Sequence, residues 1–234
     1  MDFDVLPGPS LPELARTALA RAASATISHA SPAVSRATSD QVPIRAGPSG
    51  SPIILASAES GLARRLASCR RPVTVSVPAC PPFAALRLSG PAWPTAEDHA
   101  ARIAAYTMTV RSVEFAGASP VRIPVDQYRA AAPDPLWREA PGVLRHLELG
   151  HMAELVRCIR AHGLPGADWV VPRGLDRYGL EFLVLTRDSV AAVRLSFPDG
   201  PVTSFQDIPA SIRTALTCRC QSAPEHHRGP EPGE

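Results

Sequence analysis

The residues best suited to chemistry lie in one stretch, Pro133 to Leu185, which opens PDPLWREAPGVLRHLELGHMAELVRCIRAHG. Its two histidines, His146 and His151, stand in the order H-L-E-L-G-H within an apolar-periodic run. A neutral imidazole can bind haem iron or another metal ion, and it can exchange a proton near neutral pH. On a regular helix each residue turns about 100°, so His151, Leu155, Cys158 and His162 share one face. The same geometry sets His146 about 140° from His151, which predicts that the two cannot reach one ion together. Nor is this the H-E-x-x-H pattern of a helical zinc site. The residues alone leave two readings of His151: a hydrogen-bonded histidine at the edge of a core, or a ligand or proton-transfer group at a pocket wall. Cys158 beside it reads as a small buried apolar residue.

These side chains need elements to position them. The apolar spacing predicts a helix over Leu136 to His162, with a break at Pro141-Gly142. VVPRGLDRYGLEFLVL then reads as strand, tight turn and strand, Trp169 to Leu175 and Leu180 to Thr186, with Asp176 accepting backbone hydrogen bonds in the turn. A third strand, Val190 to Phe197, precedes a closing helix from Thr203 to Cys220 with a break near Pro209. The tail 221–234 is of low complexity and predicted to be disordered; it holds His226 and His227.

Upstream, Ser10 is an N-cap and Pro12 a first-turn residue for a helix over Leu11 to Ala23. Ser24 to His29 is β-leaning. Residues 31–51 are rich in Ser, Pro and Gly and leave only Gln41 to Arg45 as a strand, so this hairpin reads as eroded. Pro52 to Ala56 reads as a strand, Glu59 to Ser68 as a short helix, and Arg71 to Val77 and Phe83 to Pro91 as alternating strands, with Arg87 facing inward. Thr95 to Tyr106 carries a Thr cap, early acids and helical periodicity, which predicts a helix holding an exposed His99. Met108 to Phe115 and Pro120 to Pro124 supply the last strands, Asp126 to Ala132 a link, and Pro133-Asp134-Pro135 a boundary.

Composition narrows the function classes. The 234 residues are 45% hydrophobic and 20% charged with a formal charge of +2, enough to bury a real core and too balanced to attract nucleic acid. Lysine and asparagine are both absent, which excludes Schiff-base catalysis and a Walker A loop. Both residues have AT-rich codons, so their absence points to a GC-rich, bacterial genome. Cys69, Cys80, Cys158, Cys218 and Cys220 are odd in number and lack framework spacing, which predicts reduced thiols in the cytoplasm. The opening MDFDVLPGPS has no apolar segment behind basic residues, so no signal peptide is expected. No run approaches the roughly 18 apolar residues of a membrane span.

The frame of the second half resembles the C-terminal domain of HugZ-type haem-utilisation proteins. That family shows a helix with H-M-N-x-D-H, a strand ending in G-x-D-x-x-G-L, and a strand closing on F-P. The matching positions are His146 and His151, then Gly174, Asp176, Gly179 and Leu180, then Phe197 and Pro198. Glu148, Leu149 and Gly150 replace the polar middle of the first motif. The resemblance implies an α+β chain: a pyridoxamine-phosphate-oxidase-like split β-barrel over residues 1–132, with 1–10 as a tail, then a helix–sheet domain over 133–220. It implies a homodimer with the cofactor between barrels, whose closure leaves no free sheet edge. It also implies haem as the ligand, with His151 and His146 as candidate haem-binding residues. HugZ-type enzymes place a haem ligand in a C-terminal loop, which brings in His226 and His227 as further candidates. In flavin-binding split barrels the residues opening the short helix hold the FMN phosphate, a position that Ser57, Ser60, Arg64 and Arg65 occupy here. Three functions stay open: haem binding with or without ring opening, a scaffold or regulator that has lost its cofactor, and an FMN-dependent oxidoreductase.

Overall fold

A computed structural model describes residues 8–29, 38–68, 72–79, 83–98 and 102–217. The chain forms two compact units, Pro9–Trp137 and the residues from Arg138 onward.

The first unit opens on α1 (Leu11–Arg21). Ser10 and Glu13 close a reciprocal capping box: the Ser10 Oγ accepts from the Glu13 N–H, and the Glu13 carboxylate accepts from the Ser10 N–H at 2.8 Å. Two of the backbone donors that every helix start leaves unsatisfied are thereby paired. The helix buries Ala15, Ala18 and Leu19. Then come β1 (Ser24–His29), β2 (Thr38–Ala46), β3 (Pro52–Ser57), α2 (Gly61–Ser68), β4 (Val73–Pro78), β5 (Ala85–Gly90), β6 (Ala92–Asp98), β7 (Ile103–Met108), β8 (Ser112–Ala116), β9 (Val121–Ile123) and α3 (Val125–Ala130). The strands form one antiparallel nine-stranded sheet in the order β6-β7-β3-β2-β1-β4-β5-β8-β9.

Period-two alternation builds its two faces. One rung runs Ile27–Val75–Leu88–Val113–Ile123 across β1, β4, β5, β8 and β9, and all five side chains are buried. The rung beside it, Thr26–Ser76–Arg87–Glu114–Arg122, points to the opposite face, because successive strand residues alternate sides.

The structure corrects several sequence expectations here. Thr95 to Tyr106 is not a helix: its described residues belong to β6 and β7, which pair over Ala92↔Met108 to Asp98↔Ile103. Ala104, Tyr106 and Met108 alternate into the core, and the buried Tyr106 hydroxyl donates to the Ala63 carbonyl at 3.0 Å. That burial, with β3 as the second neighbour of β7, outweighs the local helical signal. The hairpin read as eroded is paired over its described residues. β2 has nine residues, pairs with β1 at six positions and continues onto β3. Met108 to Phe115 is not one strand, since β7 ends at Met108 and β8 begins at Ser112. Gly90 sits against that break, where an added Cβ would lie 1.9 Å from the Thr109 carbonyl oxygen. The expected linker over Asp126 to Ala132 contains α3, whose Tyr128 is fully buried. Finally, among the described residues the sheet does not close: β6 and β9 are its two ends and do not pair with each other.

The second unit contains α4 (Ala140–Gly150), α5 (Met152–Ala161), β10 (Trp169–Asp176), β11 (Gly179–Leu185), β12 (Val190–Ser196) and α6 (Ile208–Thr217). The strands form an antiparallel sheet, β10-β11-β12. Its buried face carries Val170, Leu175, Leu180, Phe182, Val184 and Leu195, while Leu147, Leu155, Cys158 and Ile159 are the buried side of the helices. The hairpin turn explains the spacing of its motif. The Asp176 carboxylate accepts from the Tyr178 N–H at 2.8 Å and pairs with Arg194. Gly179 leaves room for β12, since a Cβ there would lie 2.2 Å from the Leu195 carbonyl oxygen. The Phe197 N–H then donates to the Tyr178 carbonyl, tying the F-P end back to the turn. No helix among the described residues is long and apolar enough to cross a membrane.

Candidate functional site

The helix expected over Leu136 to His162 starts at Ala140 and stops at Gly150, with His151 between α4 and α5. Pro141 and Gly142 cause no break. They occupy the first turn of α4, where a missing N–H costs no intrahelical bond. The interruption comes instead at Gly150-His151, where His151 takes φ −132° and ψ 21°. The His151 N–H still donates to the Leu147 carbonyl, and its own carbonyl accepts from the Leu155 N–H. One residue thus ends one helix and begins the next.

That break reverses the geometric expectation for the histidines. Nε2 of His146 and Nε2 of His151 are 3.2 Å apart. The ring centroids are 4.9 Å apart and the planes cross at 62°. The separation of about 140° holds only for an uninterrupted helix; leaving helical torsions at His151 swings its ring toward His146. His146 is exposed and His151 half-buried, so the pair is accessible to a ligand. His162 does not join it. As the C-cap of α5 it donates from Nδ1 to the Cys158 carbonyl at 2.8 Å. Cys158 itself is 1% exposed.

Two of the four residues proposed for a flavin phosphate are engaged. Ser60 Oγ accepts from the Ala63 N–H at 3.1 Å, capping α2. Arg65 pairs with Asp40 of β2 at 2.6 Å. Its guanidinium lies back over the first turn, where a Cβ added at Gly61 would sit 3.0 Å from one terminal nitrogen. Arg64 is exposed, as is Ser57. A phosphate held through Ser60 or Arg65 would compete with the α2 cap and the Asp40 carboxylate, whereas Ser57 and Arg64 are exposed.

Sequence reading missed one feature. The face of the large sheet opposite the core is a groove of about 510 Å³ lined by Thr26, Ser28, Thr74, Ser76, Arg87, Ser89, Ser112 and Glu114. Four strands each contribute two polar side chains at i and i+2, and that repeated spacing was the available signal. Arg87, expected to face inward, lies on this polar face, 3.9 Å from Glu114.

Cys69, Cys80, Cys218, Cys220, His99, His226, His227 and the tail 221–234 lie outside the described residues. Among the described residues no group of three or more His, Cys, Asp or Glu side chains is placed to hold a metal ion.

No protein-family profile and no curated protein matches this chain in sequence. Among solved structures it is similar to a haem-binding protein from Mycobacterium smegmatis, with a TM-score of 0.65 and 24% identity over 93% of this chain and all of that one. At this identity the likeness is one of fold. A weaker similarity, with a TM-score of 0.40 and 18% identity, is to the protein Atu2129 of Agrobacterium tumefaciens, covering 88% of this chain and 95% of that one.

Proposed function

We propose that this chain binds haem, with His151 as the axial ligand to the iron and His146 as the imidazole beside it. The observation that carries this reading is the meeting of the two Nε2 atoms at an accessible helix junction. The fold shared with a haem-binding protein supports it. Of the two imidazole nitrogens, 3.2 Å apart, one would hold the iron and the other would stand beside it. His151 is the better placed, because its half-buried position at the junction of two helices restrains the ring, whereas His146 lies on the open face of α4.

In this reading the nine-stranded sheet is an opened split barrel of the HugZ type, and the two domains are 1–132 and 133–220. Two copies of the chain pair as a homodimer in a reducing cytoplasm. Haem degradation is the further activity that the resemblance to HugZ-type proteins suggests. The flavin alternative is disfavoured by the engagement of Ser60 and Arg65. The scaffold alternative loses the eroded hairpin on which it rested.

The test is a haem titration followed at the Soret band. Saturation at one haem per chain, lost in His151→Ala with the fold retained by circular dichroism, is the expected result. An unchanged Soret band in His151→Ala would remove His151 as the ligand, and no saturable binding by the parent protein would remove haem.

A further inference from the structure

The geometry of the same histidine pair suits a second kind of ligand. A tetrahedral ion holds each imidazole nitrogen at about 2.0–2.1 Å, which leaves two such nitrogens roughly 3.3–3.4 Å apart. His146 and His151 present their Nε2 atoms at 3.2 Å. Their centroids, 4.9 Å apart, are closer than a straight N–H···N bond between those atoms would leave them. The rings are therefore bent about the N···N line and cross at 62° rather than lying end to end.

We propose that His146 and His151 form a two-imidazole chelate for a divalent late first-row metal ion, with Zn²⁺ as the representative. Imidazole donors select this class over Mg²⁺ and Ca²⁺, which prefer oxygen. Both Nε2 atoms must be unprotonated to donate, so each ring carries its proton on Nδ1 when the ion is bound. Two nitrogen–metal bonds form as the six-coordinate aqua ion gives up four waters to become four-coordinate. The remaining positions stay with water, since no third ligating side chain joins the pair among the described residues. Such a site is open and exchangeable rather than structural. The helix interruption is what builds it, because only there can residues five apart converge.

This inference stands on the pair's geometry and not on haem binding, although the two ligands would compete for His151. The test uses haem-free full-length protein carrying His226→Ala and His227→Ala, which removes the adjacent histidines of the tail. Zinc chloride is titrated by calorimetry, and the histidine ring nitrogens are followed by ¹H–¹⁵N correlation. One zinc per chain is expected, with the Nε2 resonances of both residues moving together. His146→Ala and His151→Ala should each weaken binding by at least the roughly tenfold that loss of a mere outer-shell partner costs, with an unchanged circular dichroism spectrum. Absence of zinc binding, or either single variant binding as tightly as its parent, would overturn the proposal. Haem titrated into the same proteins separates the two readings. Zinc bound without haem leaves the chelate standing alone, whereas haem bound without zinc removes the chelate alone.

Discussion

Arg65 reaches back from α2 to β2 and closes on Asp40 at 2.6 Å, so the guanidinium lying over the first turn of that helix is already paired. A guanidinium in this state is a poor phosphate ligand, because an incoming anion must compete with a carboxylate already in contact. Titrating FMN into the protein should therefore give no saturable quenching of flavin fluorescence. Tight flavin binding by the unmodified chain would show that Arg65 leaves Asp40 on demand. Both side chains are more than a third exposed, so Arg65→Ala should change stability by no more than about 1 kcal/mol in urea denaturation.

Tyr128 gives a second expectation, on stability and pH. Its hydroxyl is buried and donates to the Gly50 carbonyl at 2.7 Å. Tyr128→Phe leaves that carbonyl unpaired and should cost about 1–3 kcal/mol. Burial raises the phenol above its ordinary pKa, and the nearby Arg16 only partly offsets this. An acid whose folded pKa is raised keeps its full contribution below the unfolded value, near 10, and loses it as pH climbs past that point. Stability should therefore fall above about pH 10, and Tyr128→Phe should fall less steeply. Equal slopes for the two proteins would show that other groups set the alkaline limit.

Two glycines mark places where backbone meets backbone. A Cβ at Gly90 would lie 1.9 Å from the Thr109 carbonyl oxygen, and one at Gly179 would lie 2.2 Å from that of Leu195. Neither oxygen belongs to a flexible side chain that could turn away. Gly90→Ala and Gly179→Ala should each destabilise by more than about 1 kcal/mol, measured by chemical denaturation. Gly142→Ala is the control, since a Cβ there would meet nothing within 4 Å. It also sits within α4, so the change should be neutral or stabilising.

For the histidines, the two substitutions should differ in kind. His151→Ala should abolish the Soret band. His146→Ala should shift it, because the imidazole 3.2 Å away is part of the ligand's surroundings. On an unbroken helix His146→Ala would be silent. An unshifted spectrum in that variant would mean that the two rings part before the ligand arrives.

How much of this could be read from the residues depends on whether the deciding interaction was local. The N-cap of α1 was legible because Ser10 accepts from a backbone N–H within the first turn. The turn between β10 and β11 was legible because Asp176 bonds two residues on. The β6–β7 hairpin was not, since its strands are decided by Tyr106 and Met108 entering a core supplied by distant strands. The histidine pair fell between these cases. Both residues were identified from sequence, but the torsions at His151 that bring them together follow from where α4 stops. Periodicity counted straight through that stop and put the rings on different faces.

The large sheet is open at both ends, and an open end is a row of unpaired donors and acceptors that invites another chain to add as a further strand. Here each end is spoiled differently. β9 is only three residues long, too short to template a stable partner. β6 contains Pro94, which has no N–H to offer, and its register shifts between Pro94 and Ala96 before it ends on Glu97 and Asp98. Among the described residues, both ends of the sheet thus carry features that weaken edge-to-edge pairing with another chain.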